Sequence, residues 1–149
     1  MSGNKTRQMK FLIFSALFLI ITYSCNKPSA GTKELSGVWE LTEVRGMMII
    51  DSFPDDQKET LILKNDTYEL RIGNTVTTGT YSTHPDPDVT KEVCLEIEPG
   101  IYSRRIEFKE RGSDKKIFYE LSGSTLKLIS GCFAYDAGSE KIYKRKLLH

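Results

Sequence analysis

Thr67-Tyr68-Glu69-Leu70-Arg71-Ile72 alternates residue by residue. Tyr68, Leu70 and Ile72 fall on one face, and Thr67, Glu69 and Arg71 on the other, which is the pattern of a half-buried strand. Turn residues flank it, with Asn65-Asp66 before and Gly73-Asn74 after. They read as hairpin connections to a strand on either side. Working outward, the same pattern recurs in Glu92–Glu98, Arg105–Lys109, Lys116–Leu121 and Thr125–Ser130. Pro99-Gly100, Gly112-Ser113-Asp114 and Gly123-Ser124 punctuate these runs. The spacing predicts eight or nine strands, at about 37–45, 59–64, 67–72, 75–82, 92–98, 103–110, 115–121, 124–130 and 140–145. Pro54 and the acids after it suit the start of a short helix reaching Glu59.

One-face alternation predicts an antiparallel all-β domain with one wet side. Consecutive hairpins favour an up-and-down meander, and closing it into a barrel removes the exposed edges. A sandwich is the alternative, because periodicity does not distinguish closure from stacking. The pattern turns Leu41, Leu61, Leu63, Leu70 and Ile72 inward, then Val93, Leu95 and Ile97, then Phe108, Leu126 and Leu128. Tyr68, Tyr81 and Tyr119 go with them. Eight strands leave an interior that side chains can fill or that can hold one small ligand. The size of these side chains favours filling, whereas three inward tyrosines could also orient a ligand.

The first 24 residues read as a secretory signal. Lys5, Arg7 and Lys10 precede an apolar run from Phe11 to Ile21, too short for an ordinary membrane span. Removing them leaves 125 of the 149 residues, enough for one domain with its own core. The removed part holds three basic residues and no acid, so the remainder carries −2 where the whole chain carries +1. That balance excludes a strongly basic nucleic-acid binder. A hydrophobic content of 39% and an aromatic content of 10% argue against disorder.

The signal ends Ile21-Thr22-Tyr23-Ser24-Cys25. This resembles a bacterial lipoprotein signal peptide, which is cut before a cysteine that carries diacylglycerol and palmitate. The resemblance implies lipidation of Cys25 and attachment to one leaflet. Asn26 stands where an inner-membrane retention signal has aspartate, which implies the outer membrane, facing the periplasm. Residues 25–34 are small, polar and rich in breakers, and read as a flexible tether. The folded domain is then 35–149.

Cys94 and Cys132 remain, 38 positions apart. In an oxidising compartment they read as a disulfide, and otherwise as two buried thiols. By the strand count the bond would run outside the barrel, from the polar face of 92–98 to the segment after Ser130. No nearby histidine supports a catalytic thiol, and no Cys-x-x-Cys supports a zinc or redox centre.

The domain opens Leu35-Ser36-Gly37-Val38-Trp39-Glu40-Leu41. Gly79-Thr80-Tyr81, Tyr119-Glu120-Leu121, Ser124-Thr125-Leu126-Lys127-Leu128 and Tyr143-Lys144-Arg145 follow in order. The Gly-x-Trp and this succession resemble the lipocalin-like domains of small bacterial lipoproteins. The resemblance covers about 35–146. It implies that Trp39, after Gly37, packs at the closed barrel end under a basic residue near the last strand, here Arg145. It also implies that the first loop, with Met47, Met48, Ile49, Ile50 and Phe53, lies over the barrel mouth. Adaptable methionines there suit an apolar ligand, and the alternative is a loop folded onto the core.

His84 with Asp86 and Asp88 has the residue types of a metal site, but Pro85 and Pro87 point to a rigid loop. Arg104-Arg105 and Lys115-Lys116 read as solvated strand ends. No nucleophile–base pair, P-loop or metalloprotease motif appears, so no catalytic residue, metal or cofactor is expected. Two functions compete. One is a lipid-anchored, monomeric binding module holding a small hydrophobic or amphipathic ligand. The other is a filled barrel acting as an envelope interaction module or inhibitor.

Overall fold

The computed structural model describes residues 30–46, 49–109, 116–135 and 137–147. A short helix, α1 (Ala30–Leu35), leads into β1 (Gly37–Arg45) and the two-residue β2 (Ile49–Ile50). Then come β3 (Glu59–Lys64), β4 (Thr67–Ile72), β5 (Thr75–Pro85), α2 (Val89–Val93), β6 (Arg104–Phe108), β7 (Ile117–Ser122), β8 (Thr125–Ser130) and β9 (Ser139–Arg145). Apart from β2, each strand pairs antiparallel with the next, and β9 returns to β1. The result is a closed eight-stranded up-and-down barrel. β1 is its seam. Its first half pairs with β3 through Gly37↔Leu63 to Glu40↔Thr60, and its end pairs with β2 at Val44↔Ile50. Against β9 a bulge at Thr42 shifts the register between Leu41 and Glu43. The Thr42 hydroxyl donates to the Ile142 carbonyl at 3.0 Å, which holds the bulge closed.

Alternation within the strands sets the core. Leu61 and Leu63 of β3, Tyr68 and Leu70 of β4, Tyr81 of β5, Ile106 and Phe108 of β6, Tyr119 of β7, Leu126 and Leu128 of β8 and Tyr143 of β9 all bury inside the barrel with Trp39. Tyr68 meets the Phe108 ring edge-on, with centroids 4.8 Å apart. Ile72, predicted inward, sits half-exposed at the end of β4. The turn after it needs Gly73: its φ is +53°, and a Cβ would lie 2.5 Å from the Asp56 carbonyl oxygen.

A second cluster lies on the outer wall. Phe118 and Ile129, paired across β7 and β8, point away from the interior and are covered by Val89 and Val93 of α2 and by Tyr102. The strand predicted over 92–98 is therefore corrected. Val93 ends a helical turn, Cys94 takes a left-handed conformation (φ 55°), and Leu95 is 41% exposed. Val89 and Val93 are four apart and share a helical face. Their burial against the wall outweighs the strand alternation. Cys94 is bonded to Cys132, with the Cα atoms 5.0 Å apart. The bond runs outside the barrel, from the end of α2 to the segment after β8.

Three smaller differences follow from packing. The helix expected from Pro54 is one turn closed by Gln57 N–H to Pro54 O at 2.9 Å, because β3 begins at Glu59. The end of the expected tether is helical, since α1 lodges Leu35 in the core. β5 runs on to Pro85, because its second half has β6 as a new partner.

Candidate functional site

The two ends of the barrel differ. α1 covers the end where β1 begins, lying against β3 and β5. Leu35 and Trp39 are both fully buried there, and the Trp39 indole N–H donates to the Leu35 carbonyl at 2.8 Å. The Arg145 guanidinium lies 4.3 Å from the indole centroid. It donates to the Ser36 carbonyl at 2.7 Å and the Glu34 carbonyl at 3.0 Å, so one cation fixes both α1 and the tryptophan. Gly37 is required by this arrangement. A Cβ there would stand 2.9 Å from an Arg145 guanidinium nitrogen that those bonds pin in place.

The opposite end is the mouth. Glu59 opens β3 in phase with Leu61 and Leu63, so its carboxylate enters the barrel and is only 6% exposed. Lys141 of β9 reaches it at 2.5 Å, and the Tyr143 hydroxyl donates to its other oxygen. A buried carboxylate needs such partners, because leaving it unpaired carries the full desolvation cost. Beside this cluster, between the parting strands β1 and β3, is an open recess of about 430 Å³. Its lining brings Leu41 and Phe53 together with Asp51, Lys58, Glu59 and Thr60. Ile50, 43% exposed on β2, belongs to the same end of β1 but does not line the recess. Met47 and Met48 lie outside the described residues, as does Cys25.

Of the described residues read as ligand contacts, Phe53 alone lines this recess. Tyr81 and Tyr119 are buried in the barrel core. Tyr68 is also buried and touches the floor of a different recess on the outer wall, of about 450 Å³, beside Ile62 and Gly79. Glu59, Lys141 and Tyr143 were missed by sequence reasoning. The signal was present: a carboxylate in register with two inward leucines, and a lysine and tyrosine two apart on the last strand. His84 faces outward, 3.0 Å from the Ser82 hydroxyl. Asp86 is held by Arg105 at 3.6 Å and Lys116 at 3.7 Å. Among the described residues no three metal-ligating side chains converge, and no helix is long and apolar enough to cross a membrane.

Burial controls the tyrosines. It is the first cause that pushes the Tyr81 phenol up to about 12, with the Asp66 carboxylate adding to it. Burial likewise raises Tyr119, and it raises Tyr102 together with the hydrogen bond to Glu140. Unfolded tyrosine ionises near pH 10, so between about pH 10 and 12 the unfolded chain sheds protons that the native chain keeps. Stability is thus retained below that window and falls as pH rises through it. Tyrosinate absorbance followed against pH, with circular dichroism alongside, should show these phenols ionising together with loss of structure. Full ionisation of all tyrosines in a chain that keeps its native spectrum would contradict the packed interior.

No family model matches the chain, and neither a curated protein nor a solved structure is significantly similar to it.

Proposed function

We propose that the chain is a lipid-anchored, lipocalin-like binding module of the cell envelope, exported by residues 1–24 and acylated on Cys25. It would face the periplasm from the outer membrane and hold a small amphipathic ligand at the barrel mouth. The observation that carries the reading is the recess of about 430 Å³ in which Leu41 and Phe53 stand beside Asp51 and Glu59. Its size is that of a small-ligand site. Its chemistry fits an apolar body against Leu41 and Phe53, with a hydroxyl or cationic group toward the carboxylates. The packed aromatic interior supports reading the ligand site at the mouth and not on the barrel axis.

Native mass spectrometry of the protein, purified from an oxidising compartment without denaturation, tests this. A reproducible added mass that is lost on unfolding is the expected result. Phe53→Ala should weaken binding of the ligand so identified about tenfold, since truncating a phenyl contact removes roughly 1.5 kcal/mol. A bare protein that also takes up no fatty acid, isoprenoid or amphipathic amine would reject the reading. That outcome would favour the second one, a filled barrel that works through its outer surface. The supporting observation for it is the interior packing of Tyr68, Tyr81, Phe108 and Tyr119.

A further inference from the structure

We propose that the ligand of the mouth recess is a cation: a short amphiphile headed by a protonated amine, which Asp51 receives. The proposal rests on reading that recess as the ligand site, and it decides between a hydroxyl and a cationic head.

The charges of the lining do not balance. It holds three acids, Glu40, Asp51 and Glu59, and one cation, Lys58. All but Asp51 are engaged. Lys146 meets Glu40 at 2.6 Å, and Asp55 meets Lys58 at 2.5 Å. Lys141, at 2.5 Å, and the Tyr143 hydroxyl take one oxygen each of Glu59, so that buried carboxylate is already compensated. Asp51 is exposed, and among the described residues no cation lies within ion-pair distance of it.

The elements packed around the recess do not supply the missing charge. On β1, Arg45 is held by Glu43 at 2.5 Å and reaches Glu140 at 3.5 Å. On β4, Arg71 is held by Glu69. On β9, the Lys144 ammonium donates to the Thr125 hydroxyl at 2.7 Å. β2 carries no charge, and the loop after it adds a further acid, Asp56. Lys109 follows β6, on the opposite side of the ring from β1.

Water hydrates Asp51 while the recess is open to solvent. An apolar body laid against Leu41 and Phe53 expels part of that water, and none of the neighbours replaces it for Asp51. A hydroxyl head returns one hydrogen bond and leaves the charge uncompensated. A carboxylate head adds a like charge. An ammonium head brings both donors and the missing charge. Leu41 and Phe53 are the large apolar side chains of the lining, and the packed interior lies behind them, so the body is short.

Calorimetric titration with octylamine, octanol and octanoate at neutral pH tests the assignment, because the three probes differ in their head groups. The protein is purified from an oxidising compartment, as above. Octylamine should bind about fivefold tighter than octanol, the worth of one partly screened ion pair, and octanoate should bind weakest. Added salt should shrink the preference. Asp51→Asn should bring octylamine and octanol level. Asp56→Asn, in the same loop but outside the lining, should leave the order unchanged. Octanol binding the parent as tightly as octylamine, or octanoate binding tighter than either, overturns the cationic head and leaves the recess standing as a ligand site. A preference for octylamine that survives Asp51→Asn also overturns the proposal. If none of the three binds, the recess is no site for an apolar body, and the reading of it as the ligand site falls together with this proposal.

Discussion

Trp39→Ala should lower the unfolding free energy by about 3–5 kcal/mol, as large aromatic truncations in closed cores do. The indole is 0% exposed, so its whole surface is removed from a packed site. Two further losses accompany the cavity. The Leu35 carbonyl loses its indole donor, and Arg145 loses the aromatic face it lies on. The guanidinium would still hold Ser36 and Glu34, so Arg145→Ala should cost less than the tryptophan, about 1–2 kcal/mol for the cation–π contact and its hydrogen bonds. Urea unfolding followed by circular dichroism measures both, because the chain has a single tryptophan and the variant loses its fluorescence. A Trp39→Ala midpoint within error of the parent would show that the α1-covered end of the barrel is not packed around the indole as described.

Removing the disulfide with Cys94→Ala and Cys132→Ala should cost roughly 3–4 kcal/mol, the loop-closure value for a loop of this length. The bond closes a separation of 38 residues. That loop contains β6, β7 and β8 as well as the run between α2 and β6. Without the bond, α2 is held to the outer wall by Val89 and Val93 in the second cluster and by the Lys116–Glu92 ion pair at 2.7 Å. Exposed ion pairs contribute little. Hydrogen exchange should therefore rise first in Val89–Tyr102, while β1, β3 and β9 stay protected. Equal unfolding midpoints with and without reductant would contradict a stabilising bond.

The barrel was legible because its inner face obeys one rule. β3, β4 and β8 have the predicted bounds or lie within one residue of them, and their alternation is clean. The segment around Cys94 was not legible, for a geometric reason. Val89, Val93 and Ile97 recur every four residues, and four is both a helical spacing and a multiple of the strand period. Leu95 separates the two patterns, and it points to solvent, which a periodicity count cannot see. A better signal lay elsewhere. Ile117-Phe118-Tyr119 and Leu128-Ile129 break the alternation, which marks strands covered on both faces, and so a covering element is required. At the mouth the sequence hid Glu59 because carboxylates are usually read as outward-facing. Its register with Leu61 and Leu63 carried the information, but its partners on β9 lie 82 and 84 positions away.

The β1–β9 seam has a consequence for how the chain comes to be folded. Trp39 aligns with Arg145, so the residues that shut the barrel are separated by nearly the whole domain. Contacts of that span form slowly, because the entropy of closing so long a loop is lost before the contact contributes anything. The intermediate hairpins can zip as they emerge, but the ring stays open until the last strand has left whatever machine is making or moving the chain. Until then β1 offers an unpaired edge, and a partner that binds that edge would hold the protein in a threadable state. Release of β9 is thus the event that commits the molecule.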